Sequence, residues 1–227
     1  MSRFVVSDIH GCPKTLKALI NKISLTRDDK LYFLGDYIDK GTDSAGVIDF
    51  ILDLKNEGYE IYTLRGNHEE NLLDALKNYT PKLFKNFVER INKSANLLDE
   101  EGNLKAIYHQ FILDLPYFIE LEDFWLVHAG FNTKTEDMFA DTVAMLEARR
   151  FEYDEKLLNG KTVIHGHELF YLGDIQTAIE ENAKIIPLDN GCVYSKPHKV
   201  YNHTQLGSLC CLNLDTWELI LQRNIDE

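Results

Sequence analysis

Asp8, His10, Asp36, Asp39, Asn67 and His68 fall in three short polar loops, and each loop follows a short apolar run. Asp8-Ile9-His10-Gly11 follows Phe4-Val5-Val6, and Gly35-Asp36-Tyr37-Ile38-Asp39-Lys40-Gly41 follows Leu31 to Leu34. Arg65-Gly66-Asn67-His68-Glu69 follows Ile61 to Leu64. Asp8 and Asp36 are 28 positions apart, and Asp36 and Asn67 are 31 apart. A strand–helix–strand unit takes ~30 residues, so each loop recurs once per unit and leaves the same edge of a sheet. Two further loops, Val127-His128-Ala129-Gly130 and Ile164-His165-Gly166-His167, add histidines after apolar runs. Carboxylate, amide and imidazole donors without thiolate suit Mn²⁺, Fe or Zn²⁺. Two such ions can lower the pKa of a bridging water and clamp an in-line displacement at phosphorus.

Each loop alone is a weak signal. A single Asp-x-His is usually a solvated turn, Asn67-His68 a helix start, and His128 a satisfied core histidine. Five such coincidences at five strand ends are improbable, and flanking glycines (Gly11, Gly35, Gly66, Gly130, Gly166) permit the close backbone approach such loops need. His109, His198 and His203 lack this context and take the bland reading. His165 either points into the sheet or supports a ligand from behind. Cys12 is followed by Pro13-Lys14-Thr15-Leu16, which is no phosphate cradle, so a cysteine nucleophile is not indicated.

The elements that position these loops follow from periodicity. Strands are predicted at Arg3 to Ser7, Leu31 to Leu34 and Ile61 to Leu64, with helices at Thr15 to Lys22 and Ser44 to Glu57, the latter capped by Ser44. This alternation argues for a mainly parallel sheet. A helical insertion is predicted at about 78–114. A hairpin (Tyr117 to Leu121, Phe124 to His128), a helix (Thr142 to Phe151), strands at Thr162 to His165 and Ile185 to Leu188, and a closing antiparallel pair (Leu206 to Leu214, Glu218 to Gln222) follow. The 227 residues fit one domain spanning 1–227, and 44% hydrophobic residues allow a sizeable core. A net charge of −13 argues against nucleic acid and anionic membranes as partners. The four cysteines form no CxxC pair and read as reduced, buried thiols. With no signal-like or membrane-spanning stretch, a cytoplasmic location is expected.

The ordered series DxHG, GDxxDxG, RGNHE, HAG and HGH resembles the metal-dependent phosphoprotein phosphatases within the calcineurin-like metallophosphoesterases, especially the small bacterial serine/threonine type. Asp189-Asn190-Gly191-Cys192-Val193 and the closing hairpin also match. The resemblance implies an α/β fold of two mixed β-sheets packed as a sandwich flanked by helices. It implies two divalent ions, with Mn expected and Fe or Zn as alternatives. Asp8 and His10 would hold the first ion, Asp36 would bridge, and Asn67, His128 and His167 would hold the second. His68 would be the general acid, oriented by Asp39. Arg65 would grip phosphate, helped by a later arginine; Arg149 aligns best, with Arg150 adjacent. Lys40 stands where the family has arginine and is expected to bind phosphate with a looser grip. Glu168-Leu169 replaces the usual Thr-Pro. Both departures bear on substrate choice.

The expected activity is hydrolysis of phosphomonoesters, foremost on phosphoserine or phosphothreonine and with dual specificity allowed, through a hydroxide bridging the metals. The alternative is hydrolysis of dinucleoside polyphosphates at the same site. A phosphodiesterase and a non-catalytic phosphopeptide-binding scaffold rank lower. The expected partner is a phosphorylated protein or small phosphoester; the sequence assigns no oligomeric state.

Overall fold

The computed structural model describes residues 1–197, 202 and 204–226. The first half runs β1 (Arg3–Val6), α1 (Pro13–Ile23), β2 (Lys30–Phe33), α2 (Ser44–Asn56), β3 (Glu60–Thr63), α3 (Asn67–Asn78), α4 (Pro81–Asn86) and α5 (Ala106–Leu113). A π-turn (Phe87–Ile91) and a 3₁₀ turn (Ala95–Leu97) separate α4 from α5. The second half runs β4 (Phe118–Glu120), β5 (Phe124–Val127), α6 (Thr142–Glu147), β6 (Thr162–His165), α7 (Leu172–Glu180), β7 (Ile185–Pro187), β8 (Ser208–Asn213) and β9 (Leu219–Arg223).

Two mixed sheets result. In the first, ordered β3-β2-β1-β8-β9, the three N-terminal strands are parallel, and β8 adds antiparallel to β1 with Val5 opposite Leu212. In the second, ordered β4-β5-β6-β7, β4 is antiparallel and the rest parallel. Side chains alternate across a strand. Val5, Tyr32, Leu34, Cys210 and Leu212 therefore meet Leu126, Ile164 and Ile186 between the sheets. Phe4, Val6, Leu31, Phe33 and Cys211 point the other way, onto Leu16, Leu19, Val47, Ile48 and Ile51 of α1 and α2. Trp125, Val127 and Val163 cover the outer face of the second sheet, against Phe131 and Met145. Completely buried side chains such as Leu126 and Ile164 each contribute about 1.5–3 kcal/mol.

This is the α/β sandwich the resemblance implied. Three local expectations need correction. The mainly parallel sheet read from the N-terminal alternation is a mixed one, because β8 returns antiparallel beside β1 and β9 antiparallel beside β8. The cap of α2 is Asp43, whose carboxylate accepts the Gly46 N–H at 2.7 Å, whereas Ser44 Oγ accepts the Asp39 N–H at 2.9 Å. The helix predicted to reach Phe151 ends at Glu147, and Ala148 is extended (φ −62°, ψ 128°). Phe151 packs its ring over Gly130, where any Cβ would collide with it, and this contact draws the chain off the helical path. Arg149, at a bend, and Arg150 lie in the non-helical segment that follows. No helix among the described residues is long and apolar enough to cross a membrane.

Candidate metal centre

The loops after β1, β2, β3, β5 and β6 converge. Donor atoms of Asp8, Asp36 and His128 lie within 4.8 Å of one another, and so do those of His10, Asp36 and His68. Asp36 belongs to both groups. Its Oδ2 is 3.4 Å from His10 Nε2 and its Oδ1 is 3.5 Å from His128 Nε2. Asn67, the first residue of α3, places Oδ1 3.1 Å from His128 Nε2. Asp8 accepts the His167 N–H at 3.1 and 3.2 Å, which ties the loop after β1 to the loop after β6.

The backbone is bent to achieve this. His10 (φ 49°), Asp36 (51°), Asp39 (70°), Lys40 (63°) and His167 (65°) all sit in the left-handed region, which side chains disfavour. Such conformations persist only where surrounding bonds over-determine them, and they cluster at functional sites. Two glycines admit the carboxylates: a Cβ on Gly66 would collide with Asp36, and one on Gly166 with Asp8.

The histidine tautomers suit metal ligation. His10 Nδ1 donates to the Ile38 carbonyl (2.9 Å) and His128 Nδ1 to the Leu34 carbonyl (3.0 Å), leaving each Nε2 lone pair turned to the centre. Burial holds both rings below the ordinary histidine range, and Lys40 lowers His10 further. Burial and His128 lower His167 to about 4. The shifts favour the neutral form that ligation needs. His167 Nε2 is buried without any hydrogen-bond partner, a costly state that a cation would relieve.

The carboxylates report the same deficit of positive charge. Burial, then the charges of Asp189 and Asp36, push Asp8 well above the carboxylate range. Burial raises Asp189 to about 7. For Asp36 the burial penalty is outweighed by His128, His68 and His10, and its carboxyl falls below the usual range. Lys40 supplies one ammonium, with Nζ 2.8 Å from His10 Nε2. Lys40 thus reaches into the centre instead of pairing with Asp43, whose Oδ1 accepts from Gly46 and Asn96. Neutral imidazoles, crowded buried carboxylates and an orphaned His167 nitrogen fit divalent cations.

His68 lies beside the ligands as the acid–base group. Its Nδ1 bonds Asp39 Oδ2 at 2.7 Å, and its Nε2 is 3.9 Å from Asp36 Oδ2. Burial disfavours its charged form, but Asp36 and the Asp39 bond prevail and raise its pKa. Three supporting groups carried no role in the sequence reading. Glu69, fully buried, accepts the N–H groups of Asp36 (2.9 Å), Tyr37 (2.9 Å), Ile38 (3.3 Å) and Gly66 (3.0 Å), clamping the loop after β2 to that after β3. Its spacing from Gly66 is that of a capping-box acid, the one sequence signal it gave. Ser94 donates to Asp39 Oδ1 at 2.7 Å, so the segment between α4 and α5 fixes the carboxylate that orients His68. Asp189 crowds Asp8.

Arg65 departs from expectation. It is 8% exposed and donates to Glu70 (2.8 Å), the Tyr117 hydroxyl (3.0 Å) and the carbonyls of Ile112 (3.1 Å) and Leu113 (3.0 Å). Its guanidinium also covers the Tyr117 ring, 4.9 Å from the centroid. In this structure its guanidinium satisfies the carbonyl end of α5. Arg149, by contrast, lies close enough to His167 to lower its pKa and has no hydrogen bond or ion pair among the described residues. His165 is buried, with Nδ1 donating to the Gly166 carbonyl (3.0 Å). His109 lies on α5, and His198 and His203 lie outside the described residues. All four cysteines are free and buried.

Comparison with known proteins is consistent with this centre. A symmetrical bis(5'-nucleosyl)-tetraphosphatase from Buchnera aphidicola subsp. Schizaphis graminum is 29% identical over 167 residues, 71% of this chain and 54% of that protein. The same enzyme from Wigglesworthia glossinidia brevipalpis is 38% identical over 74 residues, 32% of this chain and 26% of its own length. The chain thus spans between about a quarter and just over half of these two relatives. Among solved structures, a protein provisionally described as a diadenosine tetraphosphatase superposes with TM-score 0.61 at 21% identity, covering 97% of this chain and 92% of the other. A cold-active protein-tyrosine phosphatase from a Shewanella species superposes with TM-score 0.59 at 16% identity, covering 98% and 80%. The family model for the calcineurin-like phosphoesterases matches residues 1–201, and the chain belongs to that family.

Proposed function

We propose that this protein hydrolyses bis(5'-nucleosyl) polyphosphates at a two-metal centre held by Asp8, His10, Asp36, Asn67, His128 and His167. The observation that carries the proposal is the similarity, over most of this chain, to symmetrical bis(5'-nucleosyl)-tetraphosphatases; two groups of donor atoms that share Asp36, one with Asp8 and His128 and one with His10 and His68, support the metal centre. It replaces the phosphoprotein phosphatase read first from sequence, for which the support is fold similarity below 25% identity. The ligand set favours Mn²⁺, with Fe or Zn²⁺ as alternatives.

The bound ions would supply Lewis-acid charge to the phosphoryl oxygens and an activated water. The chain's own residues do the rest. Asp39, fixed by Ser94 and Ser44, holds His68 Nδ1 so that Nε2 faces the centre and can pass a proton to the departing oxygen. Lys40 and Arg149 bring positive charge to either side of the ligands, where an anionic substrate needs it. On a chain of net charge −13 these local cations favour a compact polyanion over an extended nucleic-acid backbone. The test is a hydrolysis panel with added Mn²⁺: an aryl phosphate, a phosphoserine peptide, a diester and diadenosine tetraphosphate. The tetraphosphate should give the highest kcat/KM. A higher value on the phosphopeptide would restore the protein phosphatase assignment.

A further inference from the structure

Beside the metal centre, between the Ala148–Phe151 segment and α7, lies a cleft of about 430 Å³. Its floor is His165 and Pro187, paired across β6 and β7. Phe151 and Phe170 stand edge-on to the His165 ring, with centroids 5.8 and 6.4 Å away. The rim carries Arg149, Arg150 and Asp174. None of these three side chains has a hydrogen bond or ion pair among the described residues, although the chain as a whole carries 37 acidic residues against 24 basic ones. A second cleft of about 510 Å³ shares Arg150, Phe170 and Asp174 and extends to Glu168, the residue after His167. The two spaces together reach from the ligand loop to the aromatic floor.

We propose that this cleft binds one nucleoside of the substrate, with the base against Phe170 and Phe151, Asp174 accepting from the base or ribose, and Arg149 and Arg150 holding the phosphates that lead to the metals. The proposal rests on the dinucleoside polyphosphate reading above and says which surface would select for the nucleoside. Its chemistry is that of a nucleotide: an aromatic wall, a free acceptor, and two free guanidiniums at the rim, with Arg149 near enough to His167 to lower its pKa. Clefts of 300–1,000 Å³ with apolar walls and a few placed polar groups are the usual form of small-molecule sites. An aryl phosphate or inorganic polyphosphate would use the same metal centre and leave this cleft empty.

Two measurements on the full chain separate the subsite from the reaction. The first is equilibrium binding of ADP and of inorganic pyrophosphate by calorimetry, on wild type, Phe170→Ala and Asp174→Asn; Asp174 is exposed, so its variant should fold normally. ADP should bind wild type more tightly than pyrophosphate. Phe170→Ala should weaken ADP roughly tenfold, the order expected for loss of one base-stacking partner, and leave pyrophosphate unchanged. The second is steady-state kinetics: both variants should raise KM for diadenosine tetraphosphate and leave aryl phosphate turnover unaltered. ADP binding no better than pyrophosphate, or ADP binding indifferent to both substitutions, overturns the subsite whatever the enzyme cleaves. ADP binding that depends on Phe170, without cleavage of the tetraphosphate, leaves the subsite standing and overturns the proposed reaction.

Discussion

Glu69→Gln changes one atom of a side chain that touches no substrate, yet it should dismantle the metal centre. In the absence of cations, burial and then the Asp36 charge push Glu69 up to about 8, so near neutral pH the carboxyl holds a proton. Cations bound by Asp36 would remove that repulsion and ionise it. The ionised form is what its surroundings fit, since all four partners are N–H donors. Glutamine offers one oxygen, for two of the four donors, and turns an NH₂ toward the others. Hydrogen bonds to a charged group contribute ~1.5–3 kcal/mol each, so two lost bonds cost about 3–6 kcal/mol. The 3.3 Å bond from Ile38 is the weakest of the four, which favours the lower half of that range. The loss falls on the backbone of Asp36, itself in a left-handed conformation, so the bridging ligand should be misplaced as well. Urea unfolding of the Mn²⁺-loaded protein measures the stability, and metal analysis after desalting measures the occupancy. A variant within about 0.5 kcal/mol of wild type, the scatter of an ordinary surface substitution, that still holds its metal would refute the clamp.

His68→Asn should leave metal content intact and slow hydrolysis by ~10²-fold or more, with the smallest loss on an aryl phosphate, which departs without an acid; equal losses on all substrates would remove its role. Ser94→Ala should lower kcat by several-fold and leave KM and metal content unchanged, because it frees Asp39 Oδ1 without touching a ligand; unchanged kcat would sever the link to the segment before α5. Lys40→Met should reduce kcat/KM by roughly one to two powers of ten, the worth of one charged hydrogen bond, while metal affinity does not fall; activity within twofold of wild type would rule the ammonium out as a substrate contact. The metal-free protein should lose stability as pH rises from about 6.5 to about 8 in urea titrations, a window above the range in which the lowered histidines His10, His128 and His167 act the other way. Glu69 takes up its proton more readily folded than unfolded, so the folded state binds more protons across that window. Saturating Mn²⁺ should flatten the slope, and a chelated protein that gains stability over the same range would contradict the assignment.

Much of the centre was legible in the sequence because its ligands sit at strand ends spaced by the length of a strand–helix–strand unit, and that spacing survives folding. That spacing alone sets Asp8, Asp36 and Asn67 at successive strand ends. What was not legible depended on side-chain direction and on partners distant in the chain. Arg65 lies in the right loop, but the carbonyls of Ile112 and Leu113 and the ring of Tyr117 take its guanidinium. Glu69 and Ser94 act through bonds to other loops, and no periodicity announces these. The apolar spacing after Thr142 continues past the true helix end because Phe151 packs on Gly130 and not on the helix axis. The proposed nucleoside cleft was the least legible, since it is assembled from four separate segments.

The two-metal assignment is tested most directly by anomalous diffraction from a crystal soaked in Mn²⁺. Two peaks are expected, one bounded by Asp8, His10 and Asp36 and the other by Asp36, Asn67, His128 and His167, with the Lys40 ammonium displaced from His10 Nε2. A map with no peak at Asp36, and Lys40 still bonded to His10, would contradict the account.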